Sequence, residues 1–217
     1  MNITYKLGMA GLGGAAATTG AYVGVSYLKK SKTSVAEHLQ ESGYKLISSI
    51  SNIEHIKLQW REEFKSDKEK IKVLIGFSQG NDEEGGKALE AWCSSNLKKD
   101  YLEGSKELEG VKSYCVLRTI ENQLSRDNGK KILTDDTSDN SKWENTYNKR
   151  KETTSLSPRS QVGLTGEWAQ HSNSKDADLA VIKSWCKTQS KVHFLAYQQT
   201  YTHVNNWCTE GGKDVAK

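Results

Sequence analysis

Residues 88–93 read ALEAWC, and residues 181–186 read VIKSWC. In each stretch two adjacent apolar residues are followed, three to four positions later, by tryptophan and cysteine. This spacing brings the four side chains onto one face of an α-helix. Both stretches therefore predict a helix that buries an aromatic–cysteine pair. We interpret each pair as core packing rather than as an aromatic cage or a cofactor site.

The other two cysteines also follow an aromatic residue, in Tyr114-Cys115 and Trp207-Cys208. Each of them comes 22 residues after the cysteine of the preceding Trp-Cys pair, and the two pairs of cysteines are offset by 93 residues. Earlier landmarks recur in one order: Leu39, Gly43, Leu46-Ile47, Trp60 and Phe64 are matched by Leu124, Gly129, Ile132-Leu133, Trp143 and Tyr147. This ordered recurrence predicts an internal duplication.

The fold class predicted from these patterns is mainly α: an N-terminal segment over 1–32, one helical repeat unit over 33–115 and a second over 116–217. Within the second unit the landmarks themselves span 119–208. Ser34 and Glu37 have the spacing of a capping box, which opens a short helix that ends near Gly43. The stretch 152–176 is polar and holds the only proline, so we predict a long loop there.

The N-terminal stretch 7–28 reads LGMAGLGGAAATTGAYVGVSYL and contains no charged residue. As a helix it would be about 33 Å long, enough to cross the hydrocarbon core of a bilayer. Lys6 precedes it, and lysines stand at 29, 30 and 32. We predict a single uncleaved transmembrane helix. Two alternatives stay open: a signal peptide that is cut near Ala15-Ala16-Ala17, and a glycine-rich soluble helix.

The charge balance argues against a nucleic-acid partner. The chain has 31 basic and 27 acidic residues, a net charge of +4 and a mean hydropathy of -0.73. Nucleic-acid-binding proteins concentrate positive charge on one face. Here the basic clusters, such as Lys149-Arg150-Lys151, are short and interspersed with acids, which is typical of a solvated surface.

Four cysteines allow three disulfide pairings. The repeat favours Cys93–Cys115 and Cys186–Cys208, and closing each 22-residue loop would stabilise the fold by about 3 kcal/mol. An oxidising compartment would permit such bonds. The alternative is four reduced cysteines that pack as small hydrophobic residues.

Metal ligands are not found at the required spacings. The chain has no C-x-x-C motif, and the histidines at 38, 55, 171, 193 and 203 keep no ligand spacing around the cysteines. Asp135, Asp136 and Asp139 resemble the start of an EF-hand loop, but the required glycine and the terminal glutamate are missing. We predict neither a metal nor a cofactor.

One motif is typical of an enzyme. Lys72-Val73-Leu74-Ile75 runs into Gly76-Phe77-Ser78-Gln79-Gly80, the G-x-S-x-G of a serine-hydrolase nucleophile elbow. Downstream residues include an acid, Asp176 or Asp178, and a base, His193 or His203. The elbow should feed at once into a helix packed on a parallel sheet. Polar residues follow it instead, and 71–75 is the only good buried run. We predict no catalytic residue and keep a hydrolase with Ser78 as an alternative.

Taken together, the glycine-rich apolar segment with lysines after it, the W-x-x-x-[FY] stations and the Trp-Cys pairs resemble a known group of sequences. They are similar to the large paralogous families of uncharacterised proteins of haemotropic mycoplasmas. The resemblance covers 7–28 and most of the remaining chain, with Tyr114-Cys115 in place of the usual Trp-Cys. It implies a surface-exposed, sequence-variable protein of a wall-less bacterium, without catalytic residues.

We therefore predict a non-enzymatic, single-pass protein of the cell membrane. It would be anchored by 7–28 and would have an antigen-like or adhesive interaction role. The resemblance implies that the helical body is extracellular and that a host-surface protein is its partner. A membrane-tethered cytoplasmic protein is the alternative, because lysines at 29, 30 and 32 favour the cytoplasmic side.

Overall fold

The ALEAWC and VIKSWC stretches lie within the two longest described helices of the computed structural model, Asp82–Leu97 and Lys175–Gln189. The structure describes residues 33–127, 129–171 and 174–214. The predicted transmembrane stretch 7–28 lies outside these residues. Among the described residues, no helix is both long enough and apolar enough to cross a membrane.

The described residues are mainly helical, which confirms the predicted fold class at that level. The first half of the body, 33–117, contains α1 Val35–Glu41, α2 Ile53–Ser66, α3 Lys68–Ile75, α4 Asp82–Leu97 and α5 Lys106–Tyr114. The second half, 118–214, contains α6 Ile120–Arg126, α7 Asn140–Glu152, α8 Lys175–Gln189 and α9 Thr200–Cys208. Short 3-10 helices join them at Ile47–Ser49, Thr137–Asp139, Arg159–Val162, Trp168–Gln170 and Glu210–Asp214.

Local sequence signals set the ends of the first helices. The Ser34 side chain accepts a hydrogen bond from the Glu37 amide, and Glu37 reaches back to the Ser34 amide, so the predicted capping box is confirmed. After α1 the chain turns at Gly43, whose φ of 85° is the left-handed conformation that glycine adopts without strain. Asn81 forms a second capping box with Glu84 and starts α4.

Each half has its own hydrophobic cluster. Trp60, Phe64, Leu89 and Cys93 lie in the first. The second contains Ile120, Leu124, Trp143, Tyr147, Trp168, Ile182, Cys186, Val204, Trp207 and Cys208. In the two stretches Leu89, Cys93, Ile182 and Cys186 are buried as predicted, but the predicted burial of the tryptophans is only partial. Trp92 and Trp185 are half-buried, and Val181 is exposed.

The two halves close on themselves through similar backbone contacts. The amide of Val35 donates to the carbonyl of Lys99, and the amide of Ile120 donates to the carbonyl of Val192. Four isolated bridges pair Ser34 with Asp100, Leu46 with Val116, Thr119 with His193 and Ile132 with Thr209. In each half the residues on either side of the first helix (α1 or α6) therefore pair with residues that flank the last helix (α5 or α9).

Helix α2 joins the halves. Its buried Gln59 donates to the carbonyl of Phe194 and accepts from the amide of Ala196. One turn on, Glu63 pairs with two arginines of the second half, Arg118 and Arg126. Positions 59 and 63 share one helix face, so this face holds the second half while Trp60 and Phe64 fill the first core. The described residues between 33 and 214 belong to one compact unit.

Within the predicted polar loop 152–176, residue 152 still belongs to α7 and 175–176 belong to α8. The described residues between these helices are irregular apart from two 3-10 helices. It is also packed: Arg159, Val162, Leu164 and Trp168 are buried in the second half. The ring of Trp168 meets that of Tyr147 edge to face. A polar composition therefore did not mean a solvated loop, because four buried residues are enough to fix it on the core.

Candidate functional site

The cysteines form two disulfides, Cys93–Cys115 and Cys186–Cys208, the pairing that the repeat favours in the sequence. Each joins two helices of one half across a Cα–Cα distance of 5.6 Å. All four residues are buried. Among the described residues no cysteine is free, so this part of the molecule offers neither a thiol nucleophile nor a thiolate ligand for a metal.

The G-x-S-x-G residues do not form a nucleophile elbow. A helix precedes them where the elbow needs a strand, because α3 runs to Ile75 and ends at Gly76 in the left-handed conformation. Ser78 is exposed in the turn before α4. No hydrogen bond within the described residues joins Ser78 to Asp176, Asp178, His193 or His203. Asp178 is instead bound to Arg159.

The aspartates that resemble an EF-hand start pair with neighbouring residues: Asp135 with Lys183, and Asp136 with the Thr134 hydroxyl. Asp139 accepts from the Thr134 amide and from Lys142, both at 2.8 Å. The Lys142 hydrogen bond, with that of Thr134, lowers the pKa of Asp139 to about 2. Over the described ranges, no group of three or more His, Cys, Asp or Glu residues could hold a metal ion.

A buried ionic cluster lies in the second half. Asp178 and Arg159 are 4% and 3% exposed, and Arg159 Nη2 donates to Asp178 Oδ1 at 2.9 Å. The Tyr147 hydroxyl and the Ser174 hydroxyl also donate to Asp178, at 2.9 and 3.1 Å. The guanidinium of Arg159 lies over the Trp168 ring, 5.2 Å from its centroid. Every member of the cluster is thus engaged with another.

This cluster is not poised for proton transfer. Burial opposes ionisation of Asp178, but the hydrogen bonds from Arg159 and Tyr147 hold its pKa below the ordinary value. Burial and the bond to Asp178 raise the pKa of Tyr147 to about 12. At neutral pH the carboxylate is therefore charged and the phenol neutral, whereas a general acid or base needs a pKa near the working pH.

The second charged cluster lies where the halves meet. Glu63 is 1% exposed, and it pairs with Arg118 and with Arg126, the latter at 3.0 Å. Arg118 also donates to Gln123 Oε1 at 2.6 Å, and Arg126 donates to the carbonyl of Ser113 at 2.6 Å. Removing one partner from such a buried pair is strongly destabilising. We interpret the cluster as a structural joint between the halves.

The most ligand-like feature is a groove of about 720 Å³ in the first half. We call it the Trp60 groove. Its walls come from α1, α2, α4 and the 3-10 helix Ile47–Ser49, and its deepest residues are Leu46, Trp60, Cys93 and Leu97, all buried. Small-molecule and peptide sites are concave, mostly apolar and carry a few polar groups.

The polar groups of the Trp60 groove are a buried donor and a charged rim. Trp60 is 2% exposed, and its indole N–H is buried without a hydrogen-bond partner among the described residues. Around the rim stand Lys87, Glu90 and Lys98, with the hydroxyls of Ser48 and Ser94. Lys87 is paired with Glu83 at 3.0 Å.

In the second half the indole N–H of the tryptophan matched to Trp60 by the sequence landmarks has a hydrogen-bond partner. The indole N–H of Trp143 donates to the carbonyl of Thr134 at 2.8 Å. By the sequence landmarks, Ser48 stands where Thr134 does, one residue after the matched apolar pair. Ser48 lies inside a 3-10 helix, whereas in the second half the 3-10 helix begins only at Thr137.

Comparisons with family models, with curated proteins and with solved structures find no match to this chain. The resemblance to the mycoplasma families therefore stays a prediction.

In the sequence Trp60 is a landmark of the repeat, and its unpaired N–H was not predicted. A signal was present in the spacing. Ile47 and Trp60 are 13 residues apart, whereas the matched Leu133 and Trp143 are 10 apart. In the first half the 3-10 helix Ile47–Ser49 begins within the apolar pair, whereas in the second half the 3-10 helix Thr137–Asp139 begins after Thr134. The two buried ionic clusters had no comparable signal, because their partners come from distant or irregular segments.

Proposed function

We propose that this chain is a membrane-anchored surface protein whose helical body has a non-enzymatic, antigen-like or adhesive interaction role. Residues 7–28 anchor it as a single-pass protein, and the body lies outside the cell. The resemblance to the surface protein families of haemotropic mycoplasmas supports the same role and suggests a host-surface protein as the partner.

We further propose that the body arose by duplication of one disulfide-linked helical unit. Three parallels support this history. Each half begins with a seven-residue helix, has a buried Trp-x-x-x-aromatic pair on its next helix, and ends in a disulfide that spans 22 residues. The amides of Ile47 and Leu133 also donate to the carbonyls of Cys115 and Cys208, the last cysteine of each half.

The observation that carries the extracellular placement is the pair of buried disulfides. Disulfides persist in oxidising compartments and are rare in the cytosol. Each half has a small core, and small domains gain most from such crosslinks. Cytoplasmic placement would leave both bonds exposed to cellular reductants.

The experiment is protease treatment of intact cells that make the full-length chain. We expect the body to be degraded while a cytoplasmic marker protein stays intact, and the full-length chain to sediment with membranes. Matched samples are permeabilised cells and a variant without residues 7–28, which should leave the membrane fraction. A body that survives until the cells are permeabilised would establish the cytoplasmic alternative.

The non-enzymatic role has its own test. A fluorophosphonate probe should leave Ser78 unlabelled, because no base is hydrogen-bonded to its hydroxyl within the described residues. The matched variant Ser78→Ala sets the background signal. Stoichiometric labelling that is lost in this variant would revive the serine-hydrolase alternative.

A further inference from the structure

We infer that the Trp60 groove binds an extended segment of a partner polypeptide, with one backbone carbonyl on the Trp60 indole N–H. An apolar side chain would fill the groove, and a neighbouring acidic side chain would meet the rim. The inference rests on the proposed interaction role and names the class of partner.

The buried donor is the first step of the argument. Nearly all buried polar groups in proteins have a hydrogen-bond partner, and each exception calls for an explanation. The Trp60 indole N–H is such an exception, in a side chain that lines an apolar groove of about 720 Å³. A ligand that brings an acceptor into the groove would satisfy it.

The second half of the molecule indicates which acceptor fits. There the indole N–H of Trp143 is satisfied by a backbone carbonyl, that of Thr134. In the first half the Leu46 carbonyl accepts from both the amide and the hydroxyl of Ser49, which holds the chain in its 3-10 turn. Among the described residues no carbonyl accepts from the Trp60 indole N–H, and a peptide from outside would supply that group.

Burial favours a neutral acceptor over a charged one at this depth. The residues around Trp60 are Leu46, Cys93 and Leu97, and moving a carboxylate into such surroundings without an ionic partner is costly. A peptide carbonyl carries no charge. The groove should therefore bind a peptide carbonyl in preference to a fatty acid that enters with its carboxylate first.

The rim favours an acidic residue next to the apolar one. It carries two lysines and one glutamate, and Lys98 is exposed and forms no ion pair with any described residue. An acidic residue of the peptide would be attracted to these lysines. Such complementary charges speed association and improve specificity more than they raise affinity. The groove volume of about 720 Å³ lies within the range of known ligand sites.

The test is selection of random 12-residue peptides displayed on phage against the full-length chain in lipid nanodiscs. Empty nanodiscs and the Trp60→Phe variant serve for counter-selection. We expect enriched sequences to share an apolar residue beside Asp or Glu. A synthetic peptide of that sequence should bind the variant about five- to tenfold more weakly, the loss of one hydrogen bond.

Two further variants keep the test decisive if Trp60→Phe folds poorly. Lys98→Glu changes an exposed residue and should weaken the same peptide severalfold, with a smaller effect at high salt. Trp143→Phe is the matched control, and it should leave the affinity unchanged. In 15N-labelled protein the peptide should shift the indole resonance of Trp60 but not that of Trp143.

The inference would be overturned if no sequence were enriched. It would also be overturned if the enriched peptides bound the Trp60→Phe and Lys98→Glu variants with the same affinity as the native chain. Displacement of the peptide by lipid or palmitate alone would overturn it too. Because binding is measured on purified protein, its failure leaves the cell-surface placement untouched. Failure of the protease experiment would equally leave peptide binding untouched.

Discussion

Phe64 in the first half and Tyr147 in the second hold matched places on α2 and α7, yet their surroundings differ in kind. Phe64 meets Phe77 edge to face, and Gly85 on α4 lies directly beneath its ring. Tyr147 meets Trp168 edge to face, and its hydroxyl donates to Asp178 on α8. Gly85 and Asp178 are 93 residues apart, the same offset as the cysteines.

The two halves therefore cover their hydrophobic cores in different ways. In the first half, helix α3 and the turn to Phe77 cover the core with apolar groups. In the second half an irregular segment covers it, and the Arg159–Asp178 pair holds that segment to α8. Arg159 is one of the buried residues that hold this segment on the core, and its pairing with Asp178 avoids the cost of an unpaired buried charge.

The largest expected effect comes from breaking the ionic closure of the second half. Asp178→Ala leaves Arg159 buried without its partner and should lower the free energy of unfolding by about 3–5 kcal/mol. Urea denaturation followed by circular dichroism measures it. The control is Asp176→Ala, an exposed position on the same helix, which should change stability by less than about 0.5 kcal/mol. Equal effects of the two substitutions would contradict the account.

The same cluster predicts how stability depends on pH. Asp178 has a pKa below its ordinary value in the folded chain, so the unfolded chain binds more protons on acidification. The stabilisation is present above the unfolded pKa of about 4 and is lost as the pH falls through the folded pKa. Below pH 4 the native chain should lose stability, and the Asp178→Ala variant should lose less. Parallel pH profiles for the two proteins would contradict this role.

The next largest effect is shared by the halves. Replacing Cys93 and Cys115 together by alanine, or Cys186 and Cys208 together, opens a loop of the same length. Each double variant should lose about 3 kcal/mol in the free energy of unfolding, since loop entropy depends on length. Urea denaturation under non-reducing conditions compares them. If one double variant lost stability and the other did not, the two disulfides would not stabilise their halves equally.

A smaller effect tests the apolar closure of the first half. A Cβ at Gly85 would overlap the ring of Phe64, so Gly85→Ala forces one of them to move. Overpacking costs about 1–3 kcal/mol, partly offset by the better helix propensity of alanine. We expect a net loss of about 1 kcal/mol in urea denaturation, against no loss for Ser95→Ala at an exposed position of α4. A stabilised Gly85→Ala variant would mean that the ring has room to spare.

The smallest effect separates the two tryptophans. Trp143→Phe removes the bond to the Thr134 carbonyl and should cost about 1 kcal/mol more than Trp60→Phe, which removes no bond. Both substitutions delete the same atoms from a buried ring, so the difference isolates the hydrogen bond. Thermal unfolding of the two variants side by side measures it. Equal losses would place an unrecognised acceptor on Trp60.

Much of the fold could be predicted because its signals are local. The capping box at Ser34 and the helical spacing around Trp60, Trp92 and Trp185 depend on residues within a turn or two. The disulfide pairing followed from the repeat. The helix cap and the helical spacing could be predicted because they depend on residues close together in the sequence.

The charged clusters and the groove could not be predicted in this way. Arg159 lies in a stretch whose polar composition favours a solvated loop, and its partner Asp178 is 19 residues further on. Glu63 reads as one of many surface charges on α2 until Arg118 and Arg126 are placed beside it. Such pairings depend on how the two halves pack, which a single sequence does not specify.

The state of the four cysteines in protein taken directly from cells decides whether each half is a disulfide-linked unit. The chain is unfolded in an alkylating reagent, so that any buried thiol also reacts, and its mass and its proteolytic fragments are then measured without reduction. We predict no alkylated cysteine, with Cys93 joined to Cys115 and Cys186 joined to Cys208. Four alkylated cysteines would contradict both the disulfide-linked structure of each half and its placement outside the cell, and a bond between the two halves would contradict the structure.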